Sequence, residues 1–151
     1  KMSYTDMNPF QNSDISVPDK YHEYLQKYTQ RKTGGHEVNI DKSPFRRMVD
    51  MWFLAICVAV RDGLNPAELP SQKKMVKIID GSILSNDPWR VNAIMLIAIG
   101  RGEAQEILTQ PNAMMKLANG LAVAGIPRLC EMLEDGDSEP IWNLSENILN
   151  Q

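Results

Sequence analysis

"SPFRRMVDMWFLAICVAVRDGLNP", Ser43 to Pro66, is the stretch on which the reading of this chain turns. Every residue from Met51 to Val60 is apolar. Crossing a bilayer takes roughly 20 apolar residues, and ten at about 1.5 Å each cover only half that thickness. Arg46, Arg47 and Asp50 bound the run on one side, and Arg61 and Asp62 on the other. It is therefore not a membrane span. Its punctuation is that of a helix. Ser43 suits an N-cap, Pro44 suits a first turn where a missing N–H costs nothing, and Gly63 suits a left-handed stop. Arg46 and Asp50, four apart, are expected to meet on the exposed turn. Beyond Asp50 the pattern is apolar on every side, so neighbours must surround it and the segment becomes the central core helix.

Working outward, Tyr21, Tyr24, Leu25 and Tyr28 recur at helical spacing and predict one face of an amphipathic helix, which Gly34-Gly35 ends. Residues 1–17 lack periodicity and are expected to form a flexible N-terminal arm. After Pro66, Met75, Val76, Ile78 and Ile79 fit either a short helix or a strand, and Asp80-Gly81 is a hairpin signal; irregular or extended structure is expected. Asp87-Pro88 opens a second deeply apolar helix that ends near Gly100 or Gly102. A short helix follows over "EAQEIL", then one over "NAMMKLANGLAVA" that stops at Gly125, and another beginning directly beyond it at "PRLCEMLED". "EPIWNLSENIL" carries Ile141, Leu144, Ser145 and Ile148 on one stripe, with Trp142 beside it. Such short connections favour antiparallel neighbours. The expected fold is an all-α, single-domain bundle of six or seven helices over residues 18–151.

A chain of 151 residues with 43% apolar and 23% charged residues has the material for one sizeable core. Its net charge of −3 is unevenly placed. Eleven Lys/Arg face six Asp/Glu between Lys20 and Lys77, against three and eight from Val91 onward. That asymmetry fits oriented docking. Cys57 and Cys130 stand far apart in apolar surroundings, without a CxxC pair or a histidine at ligand spacing. They read as free buried thiols, which suits a reducing cytoplasm. The N-terminal "KMSYTDMNPFQNSD" has no apolar signal-peptide core.

The chemistry-bearing motifs are few. His22 and His36 have no partner at metal-ligand spacing. "EMLEDGDSE" lacks the spacing of a calcium loop, "GRGE" is not a phosphate loop, and no serine sits in a GxSxG context. No catalytic residue, metal or cofactor is expected, and a non-enzymatic role is favoured over an enzyme assembled from distant segments. Two binding features remain. The basic residues Arg31, Lys32, Arg46, Arg47, Lys73 and Lys74, combined with the tyrosine stripe, are candidates for a groove that tracks phosphates and stacks bases. Trp142, on a terminal amphipathic helix, is a candidate anchor for a partner protein, or else the residue that closes the chain's own bundle.

Taken in order, "SPFRRMVDMWFLAICVAVRDG", "AIMLIAIGRGEAQEIL" and "KLANGLAVAGIPRLCEML" resemble the small accessory proteins of bacterial DNA phosphorothioation (Dnd-associated) clusters. The shared features are Pro44-Phe45, Met48, Asp50, Phe53, Ala55 and Gly63, then Glu106-Ile107-Leu108, Ala118-Asn119-Gly120 and Gly125-Ile126. They span about Ser43 to Asp135, and the "VAG" stretch after Gly120 departs from the pattern. The resemblance implies a bacterial cytoplasmic protein within anti-phage restriction machinery, with larger protein subunits as partners. It supplies no catalytic motif. The expected function is thus a non-catalytic adaptor of a DNA-defence assembly, with direct DNA binding through the basic N-terminal half as the alternative.

Overall fold

The computed structural model describes residues 8–30, 39–101 and 104–150. Along the chain run β1 (Asp14–Pro18), α1 (Asp19–Tyr28), α2 (Met48–Arg61), β2 (Met75–Asp80), α3 (Pro88–Gly100), α4 (Pro111–Glu134) and α5 (Pro140–Leu149). Short 3-10 turns at Gln72–Lys74, Gly81–Asn86 and Gln105–Thr109 join them. The molecule is mostly helical, with one small antiparallel strand pair added.

The opening stretch does become the central helix, but one turn later than its punctuation suggests. α2 starts at Met48, where the Asp50 carboxylate accepts the Arg47 backbone N–H at 3.2 Å. Ser43 caps nothing: its hydroxyl donates to the Lys27 carbonyl, while Phe45 pairs in parallel with Thr29. That bridge holds residues 43–47 extended beside the end of α1 and outcompetes the cap-and-proline signal. The stop is as expected. Gly63 has φ +65°, its N–H reaches Val60 O, and the Leu64 N–H reaches Ala59 O, closing the last turn.

Met51, Trp52, Phe53, Ala55, Ile56, Val58 and Ala59 are all buried. Cys57 and Val60 are exposed, so α2 is walled on most sides but not on all. Its main partner is α4. The two helices cross at Gly125, where a Cβ would overlap the Ala55 carbonyl oxygen. This corrects the division of "NAMMKLANGLAVAGIPRLCEMLED" into two helices. Gly125 is a close-approach residue rather than a stop, and α4 runs unbroken for 24 residues through Pro127. Pro127 itself is exposed, and the helical donor it lacks is the one the Val123 carbonyl would have received.

The N-terminal segment is also corrected. Residues 8–17 are integral to the fold: Phe10, Ile15 and Val17 are fully buried, and β1 pairs with β2 from Asp14↔Asp80 to Pro18↔Met75. Residues 1–7 lie outside the described part. The Asp80-Gly81 signal makes no hairpin. Instead the Gly81 N–H bonds Ser13 O, and a Cβ there would collide with the carbonyls of Phe10 and Ser13. Asn119 ties the layers together. Its buried carbonyl oxygen accepts the Trp52 indole N–H at 3.1 Å and the Ser16 N–H at 3.4 Å, linking α4 to α2 and β1.

Candidate functional site

Three surfaces stand out, and the first and third hold the binding residues singled out in the sequence. The first is the basic set. Arg46 is exposed just before α2, and Arg47 beside it is committed to ion pairs with Asp50 at 3.1 Å and Asp87 at 3.5 Å. Lys73 and Lys74 are exposed on the 3-10 turn before β2, and Lys74 borders an open recess of about 670 Å³ with Lys20, Tyr21 and Glu68. Arg47 lies beside Ile78 and Ile79, toward the other end of β2. Four to five strand residues at about 3.3 Å each put roughly 15 Å between the two basic groups. Lys77, between them, is held by Asp14 and Asp80. The tyrosine stripe is split: Tyr28 is buried and its hydroxyl donates to Glu134 at 2.6 Å, Tyr21 is half-buried, and Tyr24 is 43% exposed. Burial and the neighbouring Glu134 carboxylate push the Tyr28 phenol well above its ordinary range. Arg31 and Lys32 lie outside the described residues.

The second surface was missed by sequence reasoning. Arg90, on the first turn of α3, is buried, and one of its NH2 groups donates to Asp50 at 2.8 Å. Its guanidinium lies 4.9 Å from the Trp89 ring and 5.2 Å from the Phe53 ring, and those two rings meet edge to face. Burial alone would raise the Asp50 carboxyl, but hydrogen bonds from Arg90 and Arg47 outweigh it and hold the group below its usual value. Asp50 thus pairs with Arg47 and Arg90, three and forty positions away, and not with the expected Arg46. Trp89 and Leu96, expected inside a deeply apolar helix, are 56% and 71% exposed. Apolar content on all sides of α3 gave no clue to which side faces out.

The third surface is α5. Its inward side is polar by choice of residue. The Asn143 amide donates to the carbonyls of Leu133 and Ser138, and the Asn147 amide donates to those of Met132, Asp135 and Asn143. Two asparagines four apart on α5 therefore satisfy the otherwise unpaired carbonyls at the end of α4. Gly136, at φ +135°, makes the turn between the helices, and a Cβ there would strike the Asn143 side chain. Leu144 adds the apolar contact. Trp142 takes no part in this packing and is 60% exposed, with Leu149 at 81% and Ile148 at 44%. The expected stripe of Ile141, Leu144, Ser145 and Ile148 is accordingly corrected to Asn143, Leu144 and Asn147. A period drawn from apolar residues alone misses a face that anchors through amides.

Both cysteines are free; Cys130 is buried and Cys57 is exposed, against the expectation that both lie inside. Among the described residues no group of three or more His, Cys, Asp or Glu is placed to hold a metal, and no helix is long and apolar enough to cross a membrane. Compared with protein-family models, curated proteins and solved structures, the chain matches none.

Proposed function

We propose that this chain is a non-catalytic docking subunit that works through protein–protein contacts, with α5 as a principal contact element. One observation carries the reading: Trp142 stands on the outward side of a helix whose attachment is completed by Asn143, Leu144 and Asn147. A large aromatic not used in the fold is the residue type most enriched among interface anchors. The setting implied by the resemblance, an accessory role in a bacterial DNA-defence assembly, is the specific form of this proposal and rests on those sequence features alone. The test is capture of partners from native cells by the tagged chain, with the captured proteins identified. Trp142→Ala should retain the wild-type melting temperature and lose the principal partner. Retention of that partner by the variant sinks the reading.

Direct contact with DNA is the second proposal, supported by Arg46, Lys73 and Lys74, which make no ion pair among the described residues. It requires retention on duplex DNA that weakens steeply with salt and is lost on charge reversal at these positions.

A further inference from the structure

We infer that the outward face of α5 takes a basic amphipathic helical segment of the partner protein; this rests on the docking reading above and specifies the chemistry of what docks. At 3.6 residues per turn, Trp142, Ser145 and Leu149 fall within about 60° of one another on the side opposite Asn143 and Leu144. Trp142 and Leu149 stand about 10 Å apart along the axis, two turns, which matches anchors seven apart on a facing helix. Ser145 lies between them, and its hydroxyl is already used by the Ile141 carbonyl at 2.8 Å. The result is a notch, small and without an outward polar demand, between two large apolar groups.

The borders of this face supply the sign of the partner. Glu139 and Glu146 line one edge, while Ile141 and Ile148 line the other. From Leu129 to Asn150 the chain has six carboxylates and no Lys or Arg. The nearest cation in sequence, Arg128, is spent on Asp62 at 3.2 Å and Glu131 at 3.0 Å. Glu134 is engaged by Tyr28 and Lys27, and Glu139 shares a recess with Lys27 and Lys42, yet Asp137, Glu139 and Glu146 form no ion pair among the described residues. A face of this kind repels phosphates and anionic lipid surfaces, and it repels a second copy of itself. It attracts a helix with Leu or Ile anchors and a Lys/Arg flank, adding steering to apolar burial.

The experiment uses the full chain with Trp89→Phe, so that exposed indole emission comes from Trp142, Trp52 being fully buried. Three synthetic helical peptides share one apolar face and differ only in a Lys/Arg, a Gln/Ser or a Glu polar face. The cationic peptide should shift the emission to the blue saturably, bind at least about tenfold tighter than the neutral one, and weaken as salt rises, because the charges involved are exposed. The double variant Glu139→Gln/Glu146→Gln should lose several-fold in affinity, and Trp142→Ala, followed by anisotropy of a labelled peptide, about tenfold or more. Equal binding of the neutral and cationic peptides overturns the inference, as does cationic binding indifferent to Trp142→Ala. A Trp142-dependent homodimer would assign the face to a second copy and overturn it equally. Capture of the native partner separates the two levels. Loss with Trp142→Ala but full, salt-insensitive retention with the double glutamine variant leaves docking standing and removes the basic helix. Retention by Trp142→Ala removes both.

Discussion

Asp50 shows how one residue's surroundings decide its worth. It is partly buried between Arg47 and Arg90, and the Arg90 side chain, beside the Trp89 and Phe53 rings, is only 10% exposed. Because the folded state holds the Asp50 carboxyl below its ordinary value, the stability it contributes is present above about pH 4 and is lost as pH falls through the lowered value. Asp50→Asn should cost up to about 3 kcal/mol at neutral pH, since Arg90 then keeps its burial with only the looser Asp87 contact, 4.0 Å away, as counter-charge. The variant should also lose stability less steeply than wild type below pH 4; parallel acid-melting curves would show that Asp50 is not the titrating partner. The cysteines divide in the same way. Burial, reinforced by the nearby Glu134, pushes the Cys130 thiol up to about 12, so at pH 8 it is both hidden and protonated. Packing around the base of Cys57 raises that thiol as well, which slows it without hiding it. One thiol should therefore react with a disulfide reagent in the native protein, slowly, and the second only after denaturation. Two equal native reactions would place Cys130 at the surface.

Among elements, α4 sets the geometry of the rest. It carries α2 on one side, β1 through Asn119 on another, and α5 at its C-terminal end. Its contact with α2 depends on glycine at 125 for lack of a side chain, not for an unusual backbone angle. Gly125→Ala raises intrinsic helix propensity, which in an exposed helix would stabilise by about 1 kcal/mol. Here the added methyl meets the Ala55 carbonyl oxygen, a backbone atom that cannot turn aside. Overpacking typically costs about 1–3 kcal/mol, so the net effect should be destabilising despite the better propensity. A denaturant midpoint equal to or above wild type would mean that α2 and α4 separate there at little cost. Pro127, two positions on, marks the opposite case: a residue with poor helix propensity is tolerated because the surrounding burial outweighs it.

At the scale of the whole molecule, α5 serves the fold with one side and leaves Trp142, Ile148 and Leu149 exposed on the rest. The amides of Asn143 and Asn147 cap the end of α4, and the Ile141 N–H also bonds the Asp41 carbonyl in the loop before α2. Removing residues 140–151 would uncover Leu133 and Met132 and leave their carbonyls, with that of Asp135, to water alone. Each lost hydrogen bond is worth about 1 kcal/mol, and the exposed side chains add to that. The truncated chain should melt lower by several degrees, whereas Trp142→Ala should melt with wild type. Equal melts for the truncated and full chains would show that α5 contributes nothing to the fold. The point variant is thus the cleaner probe of partner binding.

What the sequence determined by itself was whatever depends on near neighbours or on bulk apolar content. Most of the Met51–Val60 run had to be buried, although not Cys57 and Val60, and Gly63 had to end α2 because a left-handed turn suits glycine. Asp87-Pro88 opened α3, and the span of α5 was legible from its bounding proline and pattern. The side of α5 that packs was not, because asparagines attach it. Nor was the β1–β2 pairing, which joins residues 57 to 66 positions apart, or the burial of Phe10. The Asp50–Arg90 pair spans forty positions, and Gly125 reads as a stop until Ala55 is seen against it. Trp89, Leu96 and Trp142 look alike in a hydrophobic pattern to any core residue. Only the tertiary structure decides which apolar side chains are left facing outward, because exposure depends on where the remaining elements run out of surface to cover.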